Sequence, residues 1–167
     1  MSPIDRVGTW LAGAIGFALG VVLAAMVVIV TYQVFSRFHT SIPFWGGTEE
    51  IARGLFVWLV MLGAALAVRS REHFFVDILP AATPAPVQRV LRVVVLLTVL
   101  VVSVVLVVYG WEFAVSGLKR RSLVTHLPAI WSYSAIVTGA VLMTLFALRD
   151  LLRLRAGDRN DGDPADG

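Results

Sequence analysis

The sequence predicts an all-α integral membrane protein of four transmembrane helices, and three observations carry that prediction. The 167 residues are 58% hydrophobic and only 15% charged, with a mean hydropathy of +0.84, far from the balance of a soluble domain of this size. Three stretches, 7–36, 93–111 and 127–148, hold no Asp, Glu, Lys, Arg or His, and their 30, 19 and 22 residues each suit one helical crossing. A fourth stretch, 49–68, is apolar between charges at both ends. All four runs are solidly apolar without period-two alternation, which favours helices over the strands of a barrel.

The first span is placed at about 9–35. It is too long for a cleaved signal peptide, whose apolar region runs about 7–15 residues. Ala12, Gly16, Gly20 and Ala24 recur every fourth residue, giving one face a small-residue stripe with a Gly16-xxx-Gly20 motif. Such stripes let helix backbones approach closely, either within one chain or between subunits.

The second span, 49–68, is the most informative. Its uncharged part, 54–68, would rise only about 22 Å as a helix against a bilayer core of roughly 30 Å. The flanking charges must therefore sit close to the membrane boundary. Thr48 is positioned as an N-cap, which puts Glu49 and Glu50 in the first turn, where the positive end of the helix dipole favours carboxylates. Arg53 lies four residues after Glu49 and three after Glu50, so it can snorkel to the interface beside a carboxylate. This is either a charge-balanced helix end or a contact for another subunit. Trp58, inside the span, is either lipid-facing bulk or a packing knob, and Gly63 with Ala67 offers a shorter small-residue stripe.

The other clasp reads Arg69, Arg71, Glu72, His73 and Asp77. His73 and Asp77 share one helical face opposite Phe74, Phe75, Ile78 and Leu79, a pattern suited to an amphipathic element in the interface plane. Pro80, Pro84 and Pro86 then interrupt the chain, and Arg89 and Arg92 recur one turn apart. Two short interfacial helices are therefore expected between spans two and three.

The third span covers about 92–112 and the fourth about 127–149, together closing a membrane domain of residues 1–155. The segment 156–167, rich in Gly and Asp, is expected to be a disordered tail. Trp10, Trp45, Trp111, Trp131 and Tyr133 fall near span ends, the usual place of an aromatic belt. Of the fourteen Lys and Arg residues, nine fall on the side of the termini and the second loop, and five on the other, which predicts cytoplasmic termini. Lys119-Arg120-Arg121 runs against that trend. The basic residues are read as anchors to membrane lipids and call for no nucleic acid.

No chemistry is written in the chain. There is no cysteine, and no carboxylate or histidine lies in mid-span. His39, His73 and His126 lie in loops or at span ends without helical i,i+3 or i,i+4 spacing, a poor pattern for haem or metal. No inverted pair of Gly/Pro-broken helices marks a transporter substrate site. The chain is therefore expected to have no cofactor and no enzymatic activity, the alternative being the membrane anchor of a respiratory or haem-containing complex.

The run Trp45, Glu49-Glu50-Ile51-Ala52-Arg53-Gly54-Leu55-Phe56-Val57-Trp58, then Leu62-Gly63-Ala64, Arg69, His73 and Val76-Asp77, resembles the small membrane subunit (DctQ-like) of TRAP transporters, the tripartite ATP-independent periplasmic carriers. The resemblance extends to the length, the four spans and the Leu127-Pro128, Trp131, Tyr133 entry to the last span. It departs at Ile136-Val137-Thr138-Gly139, where such subunits often carry a proline. The resemblance implies an inner-membrane scaffold. Its partners would be a large many-span permease subunit, which uses a sodium gradient to import an organic acid or similar solute, and the periplasmic solute-binding protein that delivers it. Glu49, Glu50, Arg53, Trp58, Gly63, Arg69, His73, Asp77, Gly16 and Gly20 are the candidate contact residues.

Overall fold

In a computed structural model, the chain is described over residues 3–38, 45–78, 85–122 and 124–160. Four helices account for nearly all of it: α1 (Pro3–Phe38), α2 (Gly47–Ile78), α3 (Ala85–Ser116) and α4 (Ile130–Asn160). Each contains a stretch long and apolar enough to cross a membrane, namely Trp10–Phe38, Gly47–Ser70, Val90–Ser116 and Ile130–Leu152. Four crossings put both termini and the α2–α3 connection at one boundary, the terminal end. The α1–α2 and α3–α4 connections share the other, the loop end.

The segments on either side of the α2–α3 connection are not separate interfacial helices. Residues 69–78 continue α2 and 87–92 belong to the first turns of α3. Neither contains a glycine or a proline, so nothing in them breaks the backbone hydrogen-bond ladder. Pro86 sits within the first turn of α3, a position needing no intrahelical N–H bond. Residues 79–84 lie outside the described residues. At the other end of the chain α4 runs on through Asn160, so the first residues of the expected tail are helical; 161–167 are outside the described set.

The helices do not pack in sequence order. The main contacts pair α3 with α4, α4 with α2, and α2 with α1, so α4 lies between α2 and α3. The core cluster is built from Ile15 of α1, Leu62, Ala65 and Val68 of α2, and Phe146 and Ala147 of α4. Two close approaches set the α2–α4 crossing. A β-carbon on Gly54 would fall 2.1 Å from the Trp131 ring, and one on Gly139 would fall 2.9 Å from the Met61 carbonyl oxygen. Both positions need the missing side chain.

α3 and α4 are joined by side chains as well as shape. Ser103, almost completely buried in mid-membrane, has its hydroxyl 3.0 Å from that of Thr144. Ser103 donates to the Leu100 carbonyl at 3.0 Å, and the Thr144 hydroxyl lies 2.8 Å from the Ala140 carbonyl. Serving each hydroxyl from its own helix lets a polar pair sit where no water can solvate it. Near the loop end the Phe113 and Tyr133 rings meet at 4.1 Å between centroids.

Candidate functional site

The two clasps of α2 organise the molecule, each by a different means. At the loop end α2 begins at Gly47, two residues earlier than a Thr48 cap requires. Thr48 is therefore inside the first turn, and its hydroxyl donates backwards to the Trp45 carbonyl at 2.8 Å. Glu49 and Arg53 pair at 3.1 Å across one turn, with both side chains about three-quarters exposed.

Glu50 turns inward. One carboxylate oxygen, Oε2, accepts hydrogen bonds from the Ser122 hydroxyl and, at 2.8 Å, from the Thr125 hydroxyl, both in the α3–α4 connection. The described residues of that connection form a small hairpin. Ser122 N–H donates to the Leu127 carbonyl at 3.1 Å, Ala129 N–H donates to the Arg120 carbonyl at 2.9 Å, and Arg121 bridges to Pro128. The Ser122 oxygen accepts the N–H groups of Val124 and Thr125, at 3.0 and 3.1 Å, closing a tight turn around itself. His126 takes the left-handed conformation, φ 55°, that lets the chain return. Because Leu127 to Ala129 belong to this hairpin, α4 starts at Ile130 rather than at 127. Glu50 thus fixes a loop that lies more than seventy residues away in sequence, and Lys119, Arg120 and Arg121 stand exposed on it.

Trp58 is a packing knob. Its indole N–H donates to the Trp131 carbonyl at 2.9 Å, and its ring lies against the core cluster. The two tryptophans together lock the loop-end half of α2 to the first turn of α4, so Trp131 serves helix packing rather than a lipid-facing belt. Trp10, Trp45 and Trp111 remain exposed near span ends.

At the terminal end Arg69 also turns inward. Its guanidinium donates to the Gly8 carbonyl of α1 and lies 5.8 Å from the centre of the Phe146 ring of α4. A single side chain thereby ties three helices, with a cation–π contact adding to the hydrogen bond. Arg149 reaches the same Gly8 backbone from α4, and its neighbour Asp150 is 7% exposed. His73 and Asp77 lie on the last turns of α2, where only the backbone is described.

Gly16 and Gly20 of the α1 stripe meet no neighbouring helix closely among the described residues. A β-carbon at Gly16 or Gly20 would meet nothing within 4 Å, and one at Gly63 would only graze Leu19 at 4.0 Å. Of the two readings of such a stripe, packing within the chain is not the one used at these glycines. Gly54 and Gly139, which bring α2 and α4 together, stand alone in sequence. Ser122 and Thr125 were equally silent, since a Ser-x-x-Thr in a loop has many ordinary uses.

Four apolar helices, tied together by polar contacts at both membrane boundaries, define a multi-pass membrane protein. Residues 26–157 match the family of tripartite ATP-independent periplasmic transporters, DctQ component, and the chain belongs to that family. It is a small permease subunit of the TRAP type, a protein of the inner membrane. It is 29% identical, over 78% of its own length and 81% of the relative's, to a putative TRAP transporter small permease protein of Haemophilus influenzae. It is 25% identical to the sialic acid TRAP transporter small permease protein SiaQ of Vibrio cholerae, with 79% and 76% of the two chains covered. It is also 29% identical to part of the sialic acid TRAP transporter permease protein SiaT of Haemophilus influenzae; the match takes in 86% of this chain but only 22% of that much longer protein.

Proposed function

We propose that this subunit is a non-catalytic scaffold that holds a large many-span permease subunit in the membrane during sodium-gradient-driven uptake of an organic acid or similar solute delivered by a periplasmic binding protein. The observation that most supports the scaffold is how its surfaces divide. The inward-turned polar side chains Glu50, Trp58 and Arg69 tie the subunit to itself, whereas α1 packs on α2 along one side and leaves large apolar side chains, among them Phe17, Val28 and Phe35, exposed on the other. That surface meets either lipid or a partner helix. The SiaT relative supports the partner, because a region like this chain there forms part of a longer permease polypeptide.

In this reading Glu49, Arg53, Gly16 and Gly20 face outward as contact residues, with Gly63 beneath the α1 crossing. Arg69, with His73 and Asp77, sets the depth of α2 at a cytoplasmic boundary. The test is co-purification of the large subunit with Gly16→Leu and with a Glu49→Ala/Arg53→Ala double variant, together with sodium-dependent uptake in proteoliposomes. Reduced recovery of the large subunit from chains that fold normally is expected. Full recovery and full uptake in both variants would show that neither surface holds the partner.

A further inference from the structure

The outer face of α3 carries a carboxylate well inside the membrane. Gly110 packs on α4, where a β-carbon would fall 3.4 and 3.6 Å from the Ile136 and Val137 side chains, and Ala114 is buried. Glu112 lies two residues from each of them, about 200° around the helix, and so points away from α4. It is exposed, as are Val101, Val105 and Tyr109 on the same face. Its depth follows from the helix contacts. α3 and α4 run antiparallel, which sets Glu112 level with Ser134 and Ala135. α4 and α2 run parallel, with Gly54 against Trp131 and Ser132 and Gly139 against Met61, so the same level on α2 is that of Val57. Val57 is inside the uncharged stretch 54–68. Glu112 is thus roughly 10 Å deeper than Glu49 and Glu50, at 1.5 Å per residue. No hydrogen bond or ion pair reaches it from the described residues. A carboxylate facing hydrocarbon alone is costly, and ionisable side chains within spans as a rule face protein and are paired. Because α3 packs mainly on α4, protein on its far side must come from outside the chain.

We propose that this face of α3, centred on Glu112, docks a transmembrane helix of the large permease subunit that presents a Lys or Arg to the carboxylate. The inference rests on the scaffold reading and adds a second contact face to that of α1. A second copy of this chain does not suit the face, since a two-fold axis through it would set Glu112 against Glu112. Tyr109, one turn along, adds a hydroxyl to the same seam, and Val101 and Val105 supply apolar contact.

The test uses the full chain expressed together with its large subunit. A photo-crosslinking amino acid placed at Val105, on the same face but carrying no charge, is activated in intact membranes, and the adduct is identified by mass spectrometry. An adduct with a Lys- or Arg-bearing helix of the large subunit is expected. An adduct with a second copy of this chain, or none at all, overturns the proposal. Glu112→Lys should leave the melting temperature of the isolated subunit unchanged, because the side chain is exposed there. It should lower recovery of the large subunit about tenfold by setting like charges together, and Glu112→Gln should lower it less. Full recovery with Glu112→Lys overturns the ion pair; if that variant fails to fold, the Val105 adduct decides. A wild-type chain that recovers no large subunit sinks the scaffold reading and this contact together, whereas normal wild-type recovery without the Val105 adduct sinks this face alone.

Discussion

Glu49 and Glu50 are neighbours with opposite employment. A helix turns 100° per residue, so one carboxylate reaches solvent beside Arg53 while the other reaches the hairpin between α3 and α4. The exposed pair is worth about 0.3–0.5 kcal/mol, as for i,i+4 pairs on a helix surface. Hydrogen bonds to a charged group are worth about 1.5–3 kcal/mol each when one partner is removed. Glu50→Ala is therefore expected to lower the melting temperature of the detergent-solubilised subunit clearly, and to raise hydrogen exchange at the Ser122 and Ala129 amides. Arg53→Ala should change neither by much; an equal effect of the two would mean the hairpin is not held by Glu50. The presence of two carboxylates at the head of α2 was legible in the sequence, as was their proximity to Arg53. Which of them turns inward was not, because that depends on where α4 crosses α2.

Helix contacts follow the same division. Gly54 and Gly139 sit where α2 and α4 touch, so Gly54→Ala must push aside the Trp131 ring and Gly139→Ala the Met61 backbone. Overpacking of this kind costs about 1–3 kcal/mol. Gly16→Ala, facing open space, should leave the stability of the isolated subunit unchanged. Thermal unfolding of the three variants side by side checks this, and a destabilised Gly16→Ala would mean that α1 packs more tightly than described. Breaking the Ser103–Thr144 pair with Thr144→Val should cost only about 0.6 kcal/mol, the average for hydrogen bonds between membrane helices. Periodicity revealed the stripe on α1 because stripes repeat. A lone glycine under a tryptophan of another helix leaves no periodic trace.

The whole molecule is arranged with α4 between α2 and α3 and with α1 added on α2, leaving two outer helices apolar over most of their surface. If the termini are cytoplasmic, as the Lys and Arg distribution predicts, the absence of native cysteine makes the topology directly measurable. Lys119→Cys should react with a membrane-impermeant maleimide in intact spheroplasts and Asp166→Cys only after lysis; the reverse pattern would invert the orientation. The sequence by itself determined that the chain is a four-span membrane protein with charged fixtures at both ends of α2, because lipid demands long uncharged helices and pushes charge to the boundaries. It also carried the family likeness in those same fixtures. The tertiary structure alone decided the helix order, the choice of Gly54 and Gly139 as contact points, and the inward turn of Glu50, Trp58 and Arg69. Those depend on which helix faces meet across long separations in sequence, and hydropathy is nearly uniform around these helices, so it cannot mark one face from another.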